Sequence, residues 1–357
     1  MENTIHYSTP DEQVRKLLSQ NLIIKDEEIA SAALLRFGYS NLIKSYREPY
    51  IIKSGNKCTY RDGVSFDQIA SLFFFDKALR NAVMASMQDL EEHIKETAAN
   101  VIGQSFGTHQ DDYLCFQNYR NKKKRKKQFS LASILKSMQD TLDTDKEPIH
   151  HYMVKYEVVP PWILFKSIYF STIVNYIDQF KLPQKKLMVS YLYDSESLHL
   201  SEDALCMLMM DTLFICMDYR NESAHGGRIY NFESSSGLRA DEIFGSDDNV
   251  NVTGLNKLLF LLSKFKYKNP YNRLHKALEV ELNRHCNRYP QDVTYLGQIL
   301  NVNITQKNIV WISKNSKKFH ANQYCSGLIG AKKISIEEAK SAGYIPCKKC
   351  CIEMDEQ

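Results

Sequence analysis

Six residues, Arg220-Asn221-Glu222-Ser223-Ala224-His225, set a guanidinium and an imidazole five positions apart, and Gly226-Gly227 follows at once. Arginine holds a phosphate through a rigid fork of donors and keeps its charge. Histidine takes and gives a proton near neutral pH. Such a pair suits phosphodiester chemistry, and could cut RNA without a metal. On an ideal helix, positions i and i+5 lie about 140° apart around the axis, so the two side chains share a face only if the helix loosens between them. The two glycines make a loosened end plausible. A plainer alternative stays open: His225 complements the helix dipole, and Arg220 is a solvated charge.

A second candidate set lies near the C-terminus. Cys347-x2-Cys350 is a tight knuckle that puts two thiolates on one ion, and His320-x4-Cys325 completes a tetrahedral Cys3His set. Cys351 is an alternative to Cys350, although a Cys-x3-Cys knuckle is less usual. Four protein ligands imply a structural zinc ion, without which so small a unit would struggle to fold. Lys314, Lys317, Lys318, Lys332, Lys333, Lys348 and Lys349 make this segment basic. The remaining cysteines, Cys58, Cys115, Cys206, Cys216 and Cys286, read as isolated thiols.

A third feature is the run Arg120-Asn121-Lys122-Lys123-Lys124-Arg125-Lys126-Lys127. Tyr113, Phe116, Tyr119 and Phe129 flank it. Cations interleaved with aromatics suit single-stranded RNA, through phosphate contacts and base stacking. The alternative is an exposed, solvated loop.

The elements that must position these groups read as helices. Thr9-Pro10-Asp11-Glu12 starts one, and a second carries Ile29 to Phe37 and stops at Gly38. Residues 53–63 read as a loop or small hairpin. A long amphipathic helix, broken at most once, spans Ser65 to Ile102, followed by a loop from Gly103 to Tyr113. Further helices are expected at Ser130–Leu142, from Pro160-Pro161-Trp162 to about Phe180, from Ser201 to the Arg–His motif, and near 253–265 and 270–287. Asn308 to Ser313 reads as a strand. The segments divide as 1–60, 61–300 and 301–357. Gly and Pro are sparse among the 357 residues while 21 Tyr and 17 Phe are present, which favours long helices over a many-turned β protein. Net charge is only +4, so any nucleic-acid contact must come from clustering. No apolar run reaches the length of a membrane span, and Met1 to Gln20 has no signal-peptide core, so a cytoplasmic protein without membrane partners is expected.

The R-N-x-x-x-H pattern at the end of a helix resembles the HEPN ribonuclease signature. Its surroundings resemble the abortive-infection (Abi) family of bacterial phage-defence proteins. The likeness rests on Gln13 through Tyr46, on Phe75 to Arg80 with Leu90-Glu91, and on Pro160-Pro161-Trp162. It covers most of 10–265 and departs at Lys95, where arginine is expected, and at the basic run. It implies a mostly α fold: a HEPN-like bundle with an N-terminal helical segment and a small α+β zinc-binding module. The C-terminal segment resembles a zinc module appended to bacterial nucleases and DNA-repair proteins. The resemblance further implies a metal-independent endoribonuclease. His225 would be the general acid or base, Arg220 would stabilise charge on the phosphate, and Asn221 would position an oxygen or the histidine. With one motif per chain, a homodimer would supply the second histidine. Asp76, Arg80 and Glu91 would line or brace the site, or else form an ion-pair network between helices. RNA is then the implied substrate, and a bound RNA a candidate regulator. The competing reading is a non-catalytic RNA-binding or scaffold protein with a structural Arg–His pair.

Overall fold

The computed structural model describes residues 7–351 apart from 56, 123–128, 246–249, 251, 303–308, 314–315, 321–324 and 326–330. It is mostly helical, with a small strand-containing region near the C-terminus. Helices α1 (Pro10–Ser19) and α2 (Glu27–Phe37) precede a hairpin of β1 (Ile51–Ser54) and β2 (Lys57–Tyr60). Thr9 caps α1 in a reciprocal capping box with Glu12, and α2 stops at Gly38, whose φ of 81° favours glycine.

Next comes α3 (Phe66–Phe106), a single unbroken helix of 41 residues. Its stripe of Ile69, Leu72, Leu79, Val83, Met87, Leu90 and Ile94 is wholly buried. Then follow α4 (Gln110–Tyr113), α5 (Leu131–Leu142), α6 (Ile149–Tyr156), α7 (Pro161–Leu164), α8 (Phe170–Asp178), α9 (Leu182–Leu192), α10 (Ser195–Leu198) and α11 (Glu202–Ala224). After the motif come α12 (Ala240–Phe244), α13 (Gly254–Leu262), α14 (Asn269–Arg288) and α15 (Val293–Leu300). The last region holds β3 (Ile309–Ile312), β4 (Lys318–His320), β5 (Lys332–Ser335), α16 (Ile336–Ser341) and β6 (Ile345–Pro346).

Two local expectations are corrected. The segment 103–113 is not a loop: α3 continues to Phe106, and His109 caps α4 by accepting from the Asp111 N–H. The helix expected from Pro161 to Phe180 is two helices, because Ile168 and Tyr169 turn extended, with ψ of 141° and 147°, and restart the chain at α8. Among the described residues no helix is long and apolar enough to cross a membrane.

The chain divides into two compact units, residues 1–79 with 276–357, and residues 80–275. In the first unit a buried polar network ties segments far apart in sequence. The Asp292 carboxylate accepts from Tyr50 Oη at 2.7 Å and Gln68 Nε2 at 2.9 Å, and lies 2.8 Å from His285 Nε2. With Nε2–H given to Asp292, His285 Nδ1 accepts from Ser71 Oγ at 2.9 Å. Replacing Asp292 with alanine removes the acceptor that three buried side chains share. Asp292→Ala is therefore expected to lower unfolding free energy by about 3–5 kcal/mol, read by urea denaturation. A loss below about 1 kcal/mol would show that water already satisfies these groups.

Candidate active site and metal centre

Helix α11 is built to end where the motif needs it. Ser201 caps its start by accepting from the Ala204 N–H at 3.2 Å, and Glu202 and Asp203 fill its first turn. At the far end Gly226 takes φ 75°, the Gly227 N–H reaches Glu222 O at 2.9 Å, and the Gly226 N–H reaches Ser223 O at 3.3 Å. These two bonds form a Schellman stop. The His225 N–H still donates to Asn221 O at 3.0 Å, so the helix is intact from Arg220 to His225 and unwinds only afterwards. The loosening considered from the sequence falls beyond the pair. Within one chain the two side chains leave the axis about 140° apart.

The turn after α11 is clamped. Arg80 Nη1 donates to Gly226 O at 2.6 Å and Gly227 O at 3.0 Å. Gly227 leaves room for the Glu222 side chain, whose Oε1 lies 1.8 Å from where a Cβ would stand. The chain then runs back along α11. Tyr219 Oη donates to Phe232 O, the Asp218 carboxylate gathers Ser234, Ser235 and Ser236, and Asp211 takes the Arg239 guanidinium at 2.7 Å.

The motif residues differ in their surroundings. His225 is exposed, while Arg220 and Asn221 are half-buried. Arg220 Nε is buried with no hydrogen-bond partner among the described residues. A guanidinium N–H left unsatisfied in a dry place is costly unless an acceptor arrives.

Of the three supporting candidates, Arg80 meets the motif's turn directly. Glu91 lies eleven residues further along α3, about 16 Å by helical rise, and pairs with Lys95 at 2.7 Å. Asp76 belongs to the first unit, where it is fully buried and accepts from Tyr46 Oη at 2.6 Å.

An open groove of about 1630 Å³ runs along the half-exposed side of α11, and Asn221 lines its end. Of the basic run, Arg120 and Lys122 border this groove, whereas Lys123, Lys124, Arg125, Lys126 and Lys127 lie outside the described residues. Lys122 Nζ and Lys185 Nζ converge on Asp178 Oδ1, at 2.7 and 3.5 Å. Burial pushes the Lys185 ammonium down to about 8 despite Asp178. The sequence reading passed over Lys185, Asp211 and Asp218. A usable signal was the spacing of Asp211 and Asp218, two turns apart on an otherwise apolar helix.

The family model of the Abi-like proteins matches residues 32–231, more than half of the chain. The chain belongs to the Abi-like protein family. The match runs from α2 to just past the Arg–His motif, so the long helix and the clamped turn lie within it, while the groove's lining at Ser235 to Arg239 falls beyond it. Abi denotes abortive infection, and phage defence is the role that Abi-like membership suggests. None of the curated proteins and none of the solved structures compared with the chain matches it significantly.

The Cys/His cluster lies outside the Abi-like match and is assembled by a four-stranded sheet of order β5-β3-β4-β6. β4 and β6 pair in parallel, Phe319 opposite Pro346, which brings the next residues, His320 and Cys347, side by side. A tight turn closed by Cys350 N–H to Cys347 O at 3.2 Å then returns Cys350 to the site. The ligand atoms of His320, Cys325, Cys347 and Cys350 all lie within 4.8 Å of one another. Burial, with Lys318 nearby, lowers the His320 pKa and favours the neutral imidazole that a metal takes. Cys351 is core instead: it is 2% exposed and packs with Val310, Phe319 and Ala339. Of the module's lysines, Lys317, Lys318, Lys332, Lys333, Lys348 and Lys349 are exposed, and Lys333 pairs with Glu279 at 2.6 Å.

Proposed function

We propose that this chain is a metal-independent endoribonuclease of abortive infection, with Arg220 and His225 brought together from two copies. The observation that carries the reading is the contrast within the motif: a buried, unpartnered Arg220 Nε beside an exposed His225 on an intact helix end. An anionic phosphate oxygen is the acceptor that a guanidinium donor suits best. Because the pair diverges on one helix, Arg220 of one copy and His225 of another are the natural partners at a shared phosphate, and a two-fold axis provides that arrangement twice. His225 removes the proton of a ribose 2′-hydroxyl as that oxygen attacks phosphorus, or protonates the leaving 5′-oxygen. Arg220 holds the charge that gathers on the non-bridging oxygens. Asn221 orients the phosphate, and Arg80 positions the turn without touching substrate.

The C-terminal ion is proposed to be zinc with a structural role. A tetrahedral zinc with bonds of about 2.3 Å to sulfur and 2.0 Å to nitrogen sets ligand atoms about 3.8 Å apart for two sulfurs and about 3.5 Å for sulfur and nitrogen. Cys325 Sγ and Cys347 Sγ are 3.8 Å apart, and Cys350 Sγ and His320 Nδ1 are 3.6 Å apart. Four protein ligands leave no open position for a reacting water.

The test uses the 2′-hydroxyl. An RNA should be cut to products ending in 2′,3′-cyclic phosphate, and the same strand with a deoxyribose at the cut should resist. Cleavage of the deoxy strand at an equal rate would rule the mechanism out.

A further inference from the structure

We propose that the C-terminal module docks RNA through its lysines, holding the phosphodiester backbone without reading sequence. The choice of RNA as the polyanion rests on the ribonuclease reading above. The observation that carries the inference is where the charge lies. Residues 301–357 hold nine lysines and five carboxylates, while the whole chain holds 46 basic and 42 acidic residues. The net charge of +4 therefore belongs entirely to this segment, and residues 1–300 balance. A divalent ion held by three thiolates and an imidazole adds a single negative charge, which does not reverse the excess.

The fold gathers part of that excess at one edge of the sheet. β4 and β6 run parallel with Lys318 opposite Ile345, and the Ile345 N–H donates to Lys317 O at 2.9 Å. Lys348 and Lys349 follow β6 directly after Cys347. Neighbouring strands lie about 4.8 Å apart and rise about 3.3 Å per residue, so no more than about 11 Å separates the Lys318 and Lys348 backbones. Lys317, Lys318, Lys348 and Lys349 are all exposed. β6 ends the strand order, so no further strand of this sheet covers that side.

The module's carboxylate among the described side chains works elsewhere. Glu338 accepts from the Ser335 N–H at 2.9 Å, and Ser335 belongs to β5 at the opposite edge. Lys333, also on β5, is the lysine that meets a carboxylate, Glu279 at 2.6 Å. Among the described residues, Lys317, Lys318 and Lys348 form no ion pair. Like charges held this close repel one another, and a polyanion that releases its counterions to them relieves that repulsion. An RNA held here stays tethered to the chain that carries the Arg–His motif, which raises its effective concentration there without a contact at the reacting phosphate.

The experiment uses the full chain carrying His225→Ala, so that binding is read apart from cleavage. Fluorescein-labelled octauridylate is titrated by anisotropy between 50 and 200 mM salt. Lys317→Ala, Lys318→Ala, Lys348→Ala and Lys349→Ala together should weaken binding about tenfold or more at the lower salt. The slope of log affinity against log salt should fall by about 3, as four lost contacts to a single strand require. Bound metal measured in the same protein shows that the module stays folded. Alanine at Lys25, Lys136, Lys146 and Lys166, exposed positions elsewhere, removes the same charge and should change the slope little. In the chain with His225 intact, the module set should raise KM for RNA and leave kcat unchanged. An unchanged slope, or an equal fall in the control set, overturns the docking even if the chain cuts RNA. Lysine-dependent RNA binding by a chain that never cuts RNA keeps the docking and discards the ribonuclease. Lysine-dependent binding that is tighter for octathymidylate than for octauridylate overturns RNA as the occupant. Lysine-dependent binding to phosphatidylserine vesicles, with none to RNA, overturns it in favour of a membrane surface.

Discussion

His225→Ala should abolish RNA cleavage, with a loss of about 10²–10⁴-fold or more, while RNA binding is retained. The substitution removes the proton carrier and little else. His225 is exposed, and the bonds that stop α11 are made by the backbone of Asn221, Glu222, Ser223, His225, Gly226 and Gly227. The fold should lose no more than the dipole contribution of a terminal histidine, about 1 kcal/mol. Arg220→Lys keeps a charge but not the fork, and should also lose most activity. The composite arrangement adds a sharper result. Mixing inactive His225→Ala chains with inactive Arg220→Ala chains should restore cleavage, since a mixed pair holds one Arg220 and one His225 on different copies. Persisting cleavage in His225→Ala alone would sink the mechanism. Failure to restore in the mixture, with both variants folded and paired, would confine the site to a single chain.

Removing the metal should unfold the C-terminal module and leave the rest folded. One equivalent of zinc per chain is expected by elemental analysis, and Cys347→Ser should lose it. The described core of this module is small: Val310, Phe319, Ala339, Cys347 and Cys351, with a few partly buried neighbours. Two of those five carry thiols, and one of the two is a proposed ligand. Structural zinc sites of this kind contribute apparent binding energies of about 10–16 kcal/mol, more than so small a core can replace. Hydrogen exchange should therefore become fast across β3 to β6 and α16 after chelation. Protection in α11 should be unchanged. Protection retained in the module after complete metal removal would show that packing alone holds it.

Where residue chemistry is local, the sequence is a good guide to this fold. The Thr9 cap, the Gly38 stop and the Ser201 cap are each made by neighbours within a few positions, and each stands as expected. The clustering of His320, Cys325, Cys347 and Cys350 was legible for a related reason, since the spacing of a knuckle is itself local geometry. The break at Ile168 and Tyr169 was not, because no proline or glycine marks it. The groove was hidden more deeply. Lys185, Asp178 and Lys122 meet only after α8, α9 and the start of the basic run have packed. Arg80 was noticed, but not its task, because its acceptors are carbonyls, which every residue carries alike. The Asp292 network spans separations of more than two hundred residues to Tyr50, Gln68 and, through His285, Ser71, and no sequence pattern spells that.

The division into units has a consequence for synthesis. Residues 80–275 are contiguous and leave the ribosome before residue 276, whereas the other unit waits for its second half. Until Asp292 and His285 emerge, the bonds that the Tyr50, Gln68 and Ser71 side chains make to them cannot form. At about 5–20 residues per second residues 276–357 take roughly 4–16 s to appear. For that interval the nascent chain can carry a finished α11 and a clamped Arg–His turn before its Cys/His cluster is assembled, tethered beside the ribosome's own RNA.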